Sequence, residues 1–271
     1  MRDICSEKAR RGSARERELA GGLVQVPGID RPGSDRSQID VPWSLGDVLL
    51  ASATVVGVVL ATLAAATTII ALVGGGDDWL TGGDLFGLPA PLALAILLEA
   101  FFLGAVFLYA RLKRGAIVRQ LGFIKPEGRW PYGLAVAAWI AGVAALIGWN
   151  LLTEIIGIDL LKIPKPPEEL VDYSGASLAL PIVIIGLFGP FCEEVFFRGF
   201  ALPAFARRYG LGGGMLISAA LFSAFHFSIG SAVPIFIFGI VLAWLYVKTG
   251  SIYPSMFAHA LQNIVTTVLA G

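Results

Sequence analysis

The two histidines of this chain, His226 and His259, both fall inside apolar segments that look membrane-spanning. Each has a companion at helical spacing: Phe222 four residues before the first, and Asn263 four residues after the second. A third apolar segment carries the adjacent acids Glu193 and Glu194, followed by Arg198. An ionisable group held in hydrocarbon costs about 2.5–3.5 kcal/mol on insertion scales. A chain that retains this many there is expected to use them.

The acidic pair divides by role. Glu194 and Arg198 stand at i and i+4 in the favourable acid-before-base order, and a buried carboxylate needs such a partner. Glu193 points about 100° away around the helix and has no partner in its own segment, which makes it the candidate general base. His226 can orient the same water. His259 and Asn263, one turn apart on one face, can donate hydrogen bonds to a developing oxyanion. In the alternative arrangement Glu193, His226 and His259 bind zinc and leave a fourth position to water. Both arrangements describe hydrolysis of an acyl bond. Phe222 reads as packing that lines the cavity or supports His226, and Cys192 as a small apolar core residue. The lone polar residues Glu99 and Asn150 read as helix-packing groups in other segments.

The elements that must position these residues are long and apolar. The chain has 271 residues, 56% hydrophobic and 15% charged, with a mean hydropathy of +0.77; a soluble domain carries about 25% charged residues. A spanning helix needs about 20 mostly apolar residues, and candidates lie at about 47–73, 89–110, 131–153, 177–200, 213–229, 231–247 and 251–270. The fold class is therefore all-α, a polytopic membrane protein of about seven helices. At about 1.5 Å per residue, Glu193 lies about 24 Å from a turn near Tyr209–Gly213, and His226 about 20 Å up the returning helix. From a turn near Gly250, His259 lies about 14 Å and Asn263 about 20 Å up. Three helices thus bring these groups to one layer near mid-membrane.

Charge gives an orientation. The stretch 111–130 holds six basic residues against Glu127, while 74–88 holds Asp77, Asp78 and Asp84 with no base. The stretch 154–176 is acidic again, with only Lys162 and Lys165 as bases; Arg207, Arg208 and Lys248 follow the fourth and sixth segments. The positive-inside rule then puts the N-terminus in the cytoplasm and the C-terminus outside. Residues 1–45 are polar and mixed in charge, with no apolar stretch before Leu45, and are expected to be a disordered cytoplasmic tail without a cleavable signal. A formal net charge of zero gives no nucleic-acid signal. The two cysteines, Cys5 and Cys192, suggest no disulfide framework.

The motifs Glu193-Glu194-Val-Phe-Phe-Arg198, Phe222-Ser-Ala-Phe-His226 and His259-Ala-Leu-Gln-Asn263 resemble, in order, the three motifs of the CPBP (Abi) family. That family comprises CAAX proteases and bacteriocin-processing intramembrane proteases, including the eukaryotic Ras-converting CAAX prenyl endopeptidase. The likeness covers residues 115–271, with 46–114 as additional N-terminal transmembrane helices; Leu121-Gly122-Phe123 also resembles the stretch before the family core. It implies a membrane endopeptidase whose cavity opens toward the cytoplasm. Glu193 and His226 would activate water, His259 and Asn263 would stabilise the oxyanion, and Arg198 would hold Glu194. The family is called a metalloprotease family, yet its architecture resembles a glutamate-type protease as much as a zinc enzyme, so no cofactor other than zinc is in question. The implied substrate is a membrane-associated peptide or a lipidated protein, and the Ala/Gly/Val bias points to a bacterial plasma membrane. Two rival readings stand beside it: a non-catalytic bacteriocin-immunity or scaffold protein of the same fold, and a transporter or proton relay.

Overall fold

The computed structural model describes residues 41–73, 83–85, 88–165, 173 and 175–270. Its architecture is helical, as expected. Helix α1 is Leu45–Val73, α2 is Ala90–Leu112 and α3 is Trp130–Ile156. A continuous helical run Ala179–Ala224 follows, broken at Gly210, whose φ of 77° and ψ of 167° are non-helical; its arms are α4 (179–209) and α5 (211–224). Helices α6, Ile229–Thr249, and α7, Ile252–Ala270, complete the bundle. A two-residue ladder, β1 (Asp84–Leu85) with β2 (Leu88–Pro89), precedes α2.

Hydrocarbon offers no hydrogen bonds, so each spanning segment must satisfy its own backbone as helix. Among the described residues five helices are long and apolar enough to cross a membrane. The run Ala179–Ala224 counts once among them although it turns back at Gly210. Helix α7 is not among them; its 19 residues include His259, Gln262, Asn263, Thr266 and Thr267. The seven expected segments are thus seven helical rods, with one shortened. The fifth was expected to continue to residue 229, but α5 ends at Ala224 and Phe227 adopts a left-handed φ of 48°. His226 therefore lies on the turn between α5 and α6 rather than within a helix.

Helix α5 packs on α6, α6 on α3, and α7 against both α3 and the first half of α4. The hairpin at Gly210 closes tightly, since a Cβ on Gly214 would lie 2.7 Å from the Ala206 backbone. An aromatic cluster joins the N-terminal helices to the rest: Phe102 of α2 meets Phe196 and Phe197 of α4 at centroid distances of 5.0 and 5.4 Å. Residues 46–114 and 115–271 thus share one apolar core.

The tail boundary needs correction. Residues 1–40 lie outside the described residues, but Val41 and Trp43, expected in the tail, are buried. The Trp43 indole donates to the Phe200 carbonyl at 2.8 Å, and Arg207 donates to the carbonyls of Val41 (3.1 Å) and Trp43 (3.0 Å). A capping box then starts α1: the Ser44 backbone N–H donates to Asp47 Oδ2 at 2.8 Å and the Asp47 N–H to Ser44 Oγ at 3.3 Å. Asp47 also pairs with Lys113 and Arg114, each at 2.8 Å, pinning the start of α1 to the end of α2. Trp43→Ala is expected to cost about 3–5 kcal/mol, as for other buried aromatic truncations. Thermal unfolding in detergent should show a clearly lowered midpoint for this variant and an unaltered one for a substitution at exposed Leu60.

Candidate active site

Helix α4 is built to expose backbone. Two wide π-helical stretches, Ile182–Phe188 and Val195–Ala201, flank the α-helical turn Gly189–Glu194; such segments recur at functional sites. In the first, the Gly189 N–H donates to the Ile184 carbonyl five residues back. The same register would have Ile185 accept from residue 190, a proline without an N–H. Asn263 supplies that donor from α7, its Nδ2 lying 3.1 Å from the Ile185 oxygen. One amide N–H of Asn263 is thereby used for positioning, and the second remains available.

The acidic pair follows one turn later. Glu194 and Arg198 are fully buried, with Arg198 Nη1 donating to Glu194 Oε1 at 2.7 Å. The other arm, Nη2, donates to the Gly239 carbonyl of α6 at 3.2 Å, and the guanidinium lies 4.4 Å over the Phe222 ring. Glu194 Oε1 also meets His259 Nδ1 at 3.0 Å. A carboxylate held by an arginine accepts, so the network assigns the proton to Nδ1. His259 Nε2 then faces Glu193 Oε2 at 3.3 Å. Two acceptors would repel at that distance, so a proton lies between Glu193 and His259. Phe222 stands edge-on to both imidazoles, with centroids at 4.8 Å from His226 and 5.5 Å from His259. His226 donates from Nδ1 to the Phe222 carbonyl at 2.9 Å, which leaves its Nε2 as an acceptor.

A cavity of about 410 Å³ opens above this network. Phe222, His226, His259 and Asn263 line it, with Gln262 and Thr266 continuing the polar edge of α7 and apolar side chains of α3 and α6 completing the wall. All seven residues singled out in the sequence thus belong to one connected cluster. Glu193 is not part of the cavity wall itself and meets it through His259. His259, read from the sequence as a partner of Asn263, is held between both carboxylates instead. Both nitrogens of His259 face carboxylates, and no three His, Cys, Asp or Glu side chains among the described residues are grouped to hold a metal.

Some members of the site escape the motifs. Gln262 accepts from the Trp139 indole at 3.0 Å and donates to Thr266 at 3.1 Å; its only sequence signal is polarity beside Asn263 in an apolar stretch. Glu99, read as a packing residue, brings its carboxyl to Gly189, where a Cβ would lie 3.6 Å from Glu99 Cδ. Its Oε2 is buried without a hydrogen-bond partner among the described residues. Cys192 is a buried free thiol.

With this geometry in view, the comparisons with known proteins are direct. Residues 175–265, which carry Glu193 through Asn263, match the family model described as type II CAAX prenyl endopeptidase Rce1-like. A Bacillus subtilis (strain 168) protein named "Putative membrane peptidase YdiL" is 26% identical over 139 residues. That stretch is 51% of this chain and 57% of the relative, so the chain spans little more than half of it. No solved structure matches. With five helices long and apolar enough to cross a membrane among the described residues, the chain is an integral membrane protein.

One pair of expectations is incompatible. Charge puts the stretch 111–130 in the cytoplasm, whereas the resemblance implies a cavity open to that side. In the structure the cavity lies at the opposite end of the bundle, beside Ile163 and Ser231.

Arg198→Ala leaves Glu194 buried without its guanidinium partner. Breaking a buried pair in this way costs about 3–5 kcal/mol, while Arg198→Lys keeps the charge and loses the fork. Unfolding midpoints in detergent should fall in the order wild type, Lys, Ala.

Proposed function

We propose that this protein is an intramembrane endopeptidase that hydrolyses a peptide bond with a water activated by Glu193 and His226. The observation that carries the reading is the chain of contacts Arg198–Glu194–His259–Glu193 ending beside a cavity that His226 and Asn263 also line. A serine or cysteine nucleophile is not needed, and buried Cys192 lies outside that cavity's lining.

The steps balance without a cofactor. Glu193 takes a proton from water whose second hydrogen is accepted by His226 Nε2. The water oxygen bonds to the scissile carbonyl carbon as its π pair moves to oxygen. The spare N–H of Asn263 and the Nε2–H of His259 donate to that oxyanion; the 3.3 Å contact of His259 with Glu193 is longer than a typical charged hydrogen bond and exchanges readily for one to substrate. Collapse breaks the C–N bond, and the proton on Glu193 passes to the leaving amine. Glu194 and Arg198 act at one remove, holding the Nδ1 proton of His259 and fixing the orientation of its ring. The mostly apolar wall supports a membrane-associated polypeptide as substrate, lipidated or not.

The test compares wild type with Glu193→Ala, purified in detergent, on a panel of prenylated and unmodified apolar peptides, with products read by mass spectrometry. Cleavage by wild type and none by the variant is expected, together with an unaltered rate in the presence of a chelator. Equal cleavage by both proteins would sink the mechanism. Asn263→Ala should lower kcat by about 10²–10³, the range for loss of an oxyanion donor, with KM little altered.

A further inference from the structure

We infer that the cavity opens on the extracytoplasmic face and takes an apolar stretch of polypeptide from that side, not the C-terminus of a cytosolic protein. This inference rests on the protease reading for the word substrate, but its geometry stands apart from catalysis.

The rods run back and forth, so every inter-helix connection belongs to one of two ends. At one end lie the six basic residues of 111–129, Arg207, Arg208 and Lys248. At the other lie the stretches 74–88 and 154–176, whose only bases are Lys162 and Lys165. Nine bases against two, all in short connections, is the asymmetry that sets orientation in a bilayer. Asp47, the acid at the basic end of α1, is consumed by Lys113 and Arg114 and does not offset it.

The cavity runs from mid-bundle, at Gly142, Phe238 and His259, to the base-poor end. Ile163 follows α3, His226 sits on the α5–α6 turn, Ser231 is in the first turn of α6, and Thr266 and Thr267 are in the last two turns of α7. Toward the basic end the site is sealed by fully buried side chains, among them Arg198, Phe197, Leu242, Leu245 and Tyr246. A substrate therefore has no approach from the basic end through the described residues.

The mouth is also built rather than incidental. The Trp149 indole donates to the carbonyls of Leu161 (3.2 Å) and Gly230 (2.9 Å), clasping the loop after α3 to the start of α6. A Cβ on Gly230 would collide with the Lys162 carbonyl, so glycine permits the approach that holds Ile163 in the wall. Lys162, just outside, is bound by Asp159 at 3.1 Å and Glu154 at 3.7 Å, and hydrogen bonding to Asp159 raises its pKa above the ordinary lysine value. The charge of Lys162 is thus engaged by acids of its own loop and of α3. Inside, Gln262, Asn263 and Thr266 form a short polar edge along one wall of an otherwise apolar space. That combination suits an extended backbone with apolar side chains.

Cysteine accessibility in intact cells decides the matter. In a full-length Cys5→Ser background, with Cys192 left buried, Ile163→Cys and Lys125→Cys are each treated with a membrane-impermeant maleimide before and after permeabilisation. Ile163→Cys should take several-fold more label than Lys125→Cys in intact cells, and Lys125→Cys should gain label only on permeabilisation. Labelling of Lys125→Cys in intact cells would overturn the inference; this position is exposed and outside the helices, so it reports orientation even if the Ile163 variant folds poorly. Neither readout requires turnover, so an inactive protein with the expected labelling would count against the protease reading alone.

Discussion

A guanidinium and a carboxylate withdrawn from water and lipid must be paired and hydrogen-bonded, and the Glu194–Arg198 pair draws its partners from four helices at once. Glu194 Oε2 and Arg198 Nε nevertheless have no hydrogen-bond partner among the described residues. Arg198 reaches α6 through the Gly239 carbonyl and α5 through the Phe222 ring; Glu194 reaches α7 through His259. Interhelical polar contacts of this kind are worth modest amounts individually in membranes. Their effect here is registration. Sliding α7 by one turn would strand His259 and leave Glu194 with a single partner, so the ion pair fixes the depth at which the cavity residues meet.

A second constraint is a missing donor. Pro190 deprives the π-helical stretch before Glu193 of one backbone N–H, and the resulting acceptor is filled from another helix by Asn263. The proline and the asparagine are thereby coupled across α4 and α7, where Gly186 also lets Ile264 approach closely. The irregular backbone of α4 from Val195 to Ala201 is tolerated because it is buried in protein rather than facing lipid.

How far the sequence reached depended on range. The Glu194–Arg198 pair was legible because i and i+4 fix neighbours within one helix. The common layer of Glu193, His226 and His259 was legible because rise per residue and turn positions are both local quantities. The contact of Glu193 with His259 was not, since nothing in either motif states how α4 and α7 rotate about their axes. The early end of α5 was equally hidden: Phe-His-Phe-Ser contains no glycine or proline, and the break rests on a left-handed Phe227. The burial of Trp43 had a signal, an aromatic residue in a polar stretch, but its acceptor lies 157 residues away. Orientation was read from charge and the cavity's side from resemblance; only the assembled bundle reveals that the two disagree.

The shortness of α5 carries a consequence for the surrounding lipid. Its residues 211–224 rise only about 21 Å, against a hydrocarbon thickness of about 30 Å. A rod that short cannot span the hydrocarbon by itself, a mismatch that local thinning of the leaflet around it would relieve. The thinned region would lie at the turn that bears His226 and the exposed Phe227, bringing headgroups and their water down to the depth of the imidazole. Water would then reach the imidazole from a dimple in the lipid as well as through the mouth of the cavity.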